Sequence, residues 1–301
     1  QQRQLTLLRR LHEERRDEDD GLRARLEAME TAFRMQVAAT DAFDVRREGF
    51  DLFRAACLMG RVEGRAVDVQ GCVETVERWA ALVRAPAGEP ADLRVRLVHQ
   101  LFRGQRLRGG GDLQDDPDAA LVDRVLETRR GLPITLSLIT LAVAEAAGIA
   151  AFPVALPEYF VVGLGQHDSF VLVDPFAGGR LLKLDDVFAL GGVANVEGLA
   201  EAIGASTPDR VLMRLLATLH GCYLRGGDPT ALACVVSRML IFDARNPGLW
   251  LQRAQLRLDD ADFTGAQEDV TAARALPLDD DWLRVADDVE RRITALGKTL
   301  Q

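Results

Sequence analysis

Four thiols, Cys57, Cys72, Cys222 and Cys234, are the strongest nucleophiles in the chain. They lie far apart, without CxxC spacing, and each sits in an apolar or helical context. Such thiols read as buried and reduced, because free cysteine is among the most buried residue types. Packing therefore outranks a cluster of Cys57, Cys72 and His99 between N-terminal helices. Thr135 and Ser137 share one helical stretch, with His167 and Asp168 in a later loop. A hydroxyl nucleophile needs an adjacent base and an oxyanion hole, and a loop histidine at the far end of a strand is out of reach. The plainer reading is helix hydroxyls and an exposed loop imidazole.

His12, His99, His167 and His220 include no pair at ligand spacing. The run Asp115-Asp116-Pro117-Asp118 lacks the alternating oxygen ligands and central glycine of a calcium loop, and Asp118 reads as the N-cap of a helix beginning at Ala119. Arg103, Arg106 and Arg108 precede Gly109-Gly110-Gly111, but no strand comes before them and no Lys-Ser/Thr after, so a phosphate cradle is not indicated. No metal and no cofactor is expected.

The elements that must carry these residues follow from periodicity. Leu5, Leu8, Leu11, Leu22, Leu26, Met29 and Phe33 recur at helical spacing around a polar block, which predicts two helical pieces hinged near Gly21. Phe53, Cys57 and Leu58, then Val69, Cys72, Val76 and Trp79, predict further amphipathic helices, closed by a Pro/Gly turn at 84–90. A helix over 93–102 and an exposed loop over 104–117 come next. After a helix at 119–130, the stretch 129–148 opens near Pro133 and ends at Gly148, with apolar or small residues on nearly every face. It predicts a central, buried helix. Runs at 149–156, 159–164 and 169–175 then predict short antiparallel strands, turning at Pro157-Glu158 and at 165–168.

From about Thr207 the chain is helical and repeats. Aligning Gly227-Asp228 with Ala261-Asp262 gives a 34-residue period, the length of a tetratricopeptide repeat. Trp250, Ala254, Phe263, Ala266 and Ala273 fall where such a repeat places its aromatic and small residues. The first copy is degenerate, with His220 and Leu232 at small-residue positions, and residues 280–297 predict a capping helix.

The 301 residues carry 37 basic and 46 acidic side chains, a net charge of −9, with 48% hydrophobic residues. Eleven acids fall between Asp259 and Glu290 against Arg274 and Arg284 alone. A nucleic-acid role loses ground without a basic face. No apolar run reaches the roughly 20 residues of a spanning helix, and no h-region follows Arg3, Arg9 and Arg10. The expectation is a cytoplasmic protein without membrane partners.

The string at 120–149, then Ala155-Leu-Pro-Glu-Tyr-Phe-Val-Val162, then Val171-Leu-Val-Asp-Pro-Phe176, then the repeat pair, resembles the bacterial SirB-type proteins, which join a transglutaminase-like domain to tetratricopeptide repeats. The resemblance covers roughly 50–296. It implies an α+β, mainly helical fold in three parts: an N-terminal helical extension at 1–45, a transglutaminase-like domain at 46–205 in which a buried helix abuts a small antiparallel sheet, and helical repeats with a capping helix at 206–301.

An active enzyme of that kind needs a cysteine at the start of the central helix, a histidine on the first hairpin and an aspartate on the next strand. The resemblance places Pro133, Tyr159 and Asp174 at those three positions. Proline has no nucleophilic atom, and a phenol with a pKa near 10 is a poor base at neutral pH. The expectation is a non-catalytic interaction protein, not an enzyme. Two other classes stand beside it: an amide-bond enzyme of the transglutaminase or cysteine-protease kind, and small-ligand binding in the vestigial cleft near Tyr159 and Asp174. Two repeats and a cap form a short groove suited to a peptide segment. Trp250, Asp279, Asp280 and Asp281 are the candidate partner contacts, and the acid run makes a basic protein or peptide segment their natural complement.

Overall fold

The computed structural model describes residues 51–63, 66–85, 92–166 and 169–299. The helices expected at 5–36, His12, most of the turn at 84–90, and the pair His167 and Asp168 lie outside them. The described chain divides into two compact units, one of residues 51–61 with 66–226 and one of residues 62–63 with 227–299. That division falls one helix later than the expected boundary at 205/206, because the helix at 208–226 packs against helices of the first unit.

In the first unit, α1 (Leu52–Met59) and α2 (Val69–Arg84) each start on an aspartate whose carboxylate accepts from a first-turn N–H: Arg54 N–H to Asp51, and Gly71 N–H to Asp68. Such caps satisfy donors the helix itself cannot. The two helices turn Cys57, Cys72, Val76 and Trp79 inward. After α3 (Leu93–Val98) comes a π-helical turn, His99–Gly104.

The stretch expected to be an exposed loop is pinned down. Leu107 and Leu113 are buried, Arg108 bridges to Arg130 in parallel fashion, and Gly109 N–H donates to the Phe176 carbonyl at 3.2 Å. Burying two leucines outweighs the glycine-rich composition. The cap expected of Asp118 belongs to Asp116, which accepts from Asp118 N–H at 3.0 Å ahead of Pro117. A short 3-10 turn results, and α4 (Val122–Thr128) starts only at Val122, without a side-chain cap.

Helix α5 (Pro133–Ala146) has proline at its first position and eleven buried residues, as an all-apolar central helix requires. It packs on an antiparallel sheet of order β1-β2-β3-β4, formed by β1 (Ala151–Ala155), β2 (Phe160–Gln166), β3 (Ser169–Asp174) and the short β4 (Arg180–Leu182). On the sheet's other side Phe152, Val154, Val161 and Leu172 pack on Val187, Val193 and Leu199. Those residues come from α6 (Leu184–Gly191), α7 (Val196–Ala205) and the link between them. Gly163 lies opposite Phe152, and a Cβ there would sit 2.3 Å from the Phe152 ring. The missing side chain lets that ring lie across β2 and meet Phe170 edge-on, centroids 5.1 Å apart. Pro153 sits in the middle of β1, and Ala155 N–H donates to Ser206 Oγ at 2.9 Å. Helix α8 (Pro208–Gly226) completes the unit.

The second unit holds α9 (Pro229–Phe242), α10 (Pro247–Asp259), α11 (Phe263–Arg274) and α12 (Asp280–Thr299). The 34-residue spacing reappears as repeated geometry. Gly227 and Ala261 both take left-handed backbone, at φ 69 and φ 59. The aspartate after each caps a helix, accepting from Ala231 N–H and Gly265 N–H, both at 2.9 Å. Ala254, Ala266 and Ala273 are fully buried, so α10 and α11 approach closely. Buried Asp269 is gripped by the Arg253 guanidinium at 2.6 and 2.9 Å and by Arg257 at 3.1 Å. Ala286 and Val289 of α12 cover Leu251, Ala254 and Val270. The described residues are α+β, mainly helical, with one small antiparallel sheet.

Candidate functional site

A cleft of about 460 Å³ opens at the N-terminus of α5. Its floor is Leu132, Pro133 and Ile134, and the turn between β1 and β2 contributes Glu158, Tyr159 and Phe160. Opposite stand Gly110, Gly111 and Gln114 of the pinned loop, with Phe176 beyond β3. Helix α8 closes it with Arg214, Thr218, Gly221 and Arg225, which recur at i, i+4, i+7 and i+11 and so share one face.

The structure brings Pro133 and Tyr159 to the same cleft and places Asp174 directly behind Tyr159. The Tyr159 hydroxyl donates to the Asp174 carboxylate, 3.3 Å from each oxygen, and its ring meets Phe176 edge-on at 6.2 Å. Burial, reinforced by the neighbouring carboxylate, pushes the Tyr159 pKa well above its ordinary value. The phenol therefore stays protonated and acts as a donor. Asp174 is 1% exposed and has a second task. Its Oδ1 accepts from Phe176 N–H and Ala177 N–H, both at 3.0 Å, and so shapes the turn that carries Phe176.

The other candidate nucleophiles are spent in packing. Thr135 Oγ1 donates to the Ala120 carbonyl at 3.0 Å and Ser137 Oγ to the Phe160 carbonyl at 3.4 Å, and both side chains are fully buried. Cys57 and Cys72 are buried and share a thiol hydrogen bond. That bond, together with burial, drives the Cys57 pKa up, while the same bond pulls Cys72 down. His99 is exposed, away from the buried interior that holds those thiols. Burial raises the Cys222 thiol, which points at the Gln114 carbonyl, 3.6 Å away. Among the described residues no three His, Cys, Asp or Glu side chains gather as metal ligands, and no described helix is long and apolar enough to cross a membrane.

The candidate partner contacts lie in the second unit, and most are already engaged. Trp250 Nε1 donates to the Ala244 carbonyl at 2.9 Å beneath the Arg253 guanidinium. Asp279 caps α12 by accepting from Asp281 N–H and Trp282 N–H, Asp281 pairs with Arg284, and Asp280 is exposed. Elsewhere in the acid run, Asp259 meets Arg292, Asp287 and Glu290 meet Arg274, and Asp288 meets Arg291. Asp262 and Asp269 serve the cap and the buried grip described above. The run is thus largely neutralised by arginines and helix N-termini.

Arg214, Thr218, Gly221, Arg225 and Phe176 were not legible as site residues. A signal existed in the polar spacing along α8, but nothing in the sequence says which face of that helix meets the cleft.

Residues 70–217 match the family model described as Transglutaminase-like superfamily. The segment is similar to transglutaminase-like domains. The match takes in α5, the sheet and the first half of α8, and so most of the cleft. Over about three quarters of its length the chain is similar to UPF0162 proteins of Xylella fastidiosa. The protein of strain 9a5c is 28% identical over 233 residues, and that of strain Temecula1 is 28% identical over 232. Each alignment takes in 74% of this chain and 83% of the relative. A UPF0162 protein of Pseudomonas aeruginosa is 30% identical over 135 residues, 42% of this chain and 49% of its own. No solved structure matches.

Proposed function

We propose that this chain is a non-catalytic interaction protein, cytoplasmic and of the SirB type, built on a transglutaminase-like domain that has lost its chemistry and is followed by tetratricopeptide-like helices. The observation that carries this reading is Pro133. It occupies the first position of the central helix at the floor of the cleft, where an acyl-transfer enzyme of this fold would hold its thiol, and it has no atom that can attack a carbonyl. Tyr159 supports it, since a protonated phenol donating to Asp174 leaves the base position without a base. A basic segment docking on the second unit would meet Glu268 and Asp280, which have no internal side-chain partner among the described residues.

The purified protein should therefore show no transamidase, deamidase or peptidase turnover, and alkylating all four thiols should change no activity. Turnover of a glutamine or peptide substrate that thiol alkylation abolishes would overturn the reading.

A further inference from the structure

Resting on the binding reading above, we infer that the cleft at the head of α5 binds an extended acidic peptide segment, seating one side-chain carboxylate on Arg214 and an adjacent apolar side chain against Tyr159 and Phe176. Arg214 is half-buried, and its Nη1 is tethered by donation to the Pro157 carbonyl at 2.8 Å. Among the described residues it has no carboxylate partner, so the rest of its donor fork is available on the cleft wall. A guanidinium held in this way recognises a carboxylate through paired hydrogen bonds and loses little side-chain freedom on binding. Arg225 reinforces the sign. It is anchored to Asp115 and to the Gln114 carbonyl, and its guanidinium lies over Gly221, where a Cβ would come within 3.0 Å of Nη1. The one acid in the lining, Glu158, is exposed. In a protein of net charge −9 this wall has the opposite sign. Apolar surface is supplied by the edge-on pair of Tyr159 and Phe176 and by Leu132 and Pro133. On the facing wall Gly111 has no side chain and a Cβ built there meets nothing within 4 Å, which leaves room for a peptide backbone beside it.

The test uses the full chain and two matched arrays of immobilised octapeptides. One has glutamate at the fourth position and the other glutamine, with Leu or Phe varied around it. Glutamate-centred peptides should bind at least about tenfold more tightly than their glutamine twins, the scale of one charge-assisted pair, and R214Q should erase that difference. Gly111 lines the cleft, and a Cβ built on it meets nothing within 4 Å. Gly111→Leu should accordingly block the cleft and abolish binding at an unchanged melting temperature. Gly204→Leu, on α7 and equally unobstructed, should bind as the parent does. Equal binding of the two arrays, no binding to either, or binding that survives Gly111→Leu would each overturn the inference. Processing of any peptide would count against the non-catalytic reading and would leave the binding comparison to judge the cleft.

Discussion

At the scale of single residues, the pair Tyr159 and Asp174 separates structural work from inherited position. Tyr159→Phe removes one hydrogen bond at 3.3 Å and should cost about 0.5–1.5 kcal/mol in denaturant unfolding. Asp174→Ala strands the N–H groups of Phe176 and Ala177 as well, and should cost roughly 2–5 kcal/mol. An aspartate kept only as a relic of catalysis would show no such excess. Tyr159 also sets an alkaline limit. Its folded pKa is raised, so above about pH 10 the unfolded chain loses a proton that the folded chain keeps. This contribution to stability is complete below pH 10 and declines as the pH rises beyond it, and melting curves of Tyr159→Phe should fall less steeply over that range. That Pro133 and Tyr159 meet in one cleft, with Asp174 against the phenol, was legible because each sits in a short motif with local punctuation. The turn-shaping role of Asp174 was not, since it depends on where the chain goes after Pro175.

At the scale of elements, α5 and the strands it covers could be read from pattern because they are long and apolar. β4 could not, because three residues carry no alternation, and α6 and α7 show their apolar faces only against a sheet already in place. The pinned loop was misread because glycine content masked Leu107 and Leu113. It makes a sharp prediction. A Cβ on Gly109 would lie 2.1 Å from the Phe176 ring, so Gly109→Ala must displace that ring from Tyr159, costing about 1–3 kcal/mol of stability and loosening the cleft. The head of α5 supplies another. A thiol placed there by Pro133→Cys should feel the unsatisfied N–H groups of the first turn and ionise below the usual value near 8.5. The pH dependence of its alkylation measures this, and an ordinary thiol pKa would mean that position 133 is not the nucleophile's place.

At the scale of the whole molecule, a 34-residue spacing was legible, and what recurs at that spacing in the structure is a left-handed residue followed by an aspartate cap. Ala261 takes that backbone at a cost glycine avoids, so Ala261→Gly should raise stability by about 0.5–1 kcal/mol in thermal unfolding. The acid run, prominent in the sequence, turned out to be largely paired within the second unit, because composition does not show which arginines fold back onto it. The sheet offers a different lesson. One of its borders is β1, where Pro153 lacks a donor and Ser206 already takes the Ala155 N–H; the other is β4, three residues long. Neither presents a row of free main-chain groups, so a neighbouring chain cannot extend this sheet by adding a strand. The same closure guards this sheet against edge-to-edge polymerisation, and among the described residues it leaves side-chain clefts and helix faces as the surfaces of recognition.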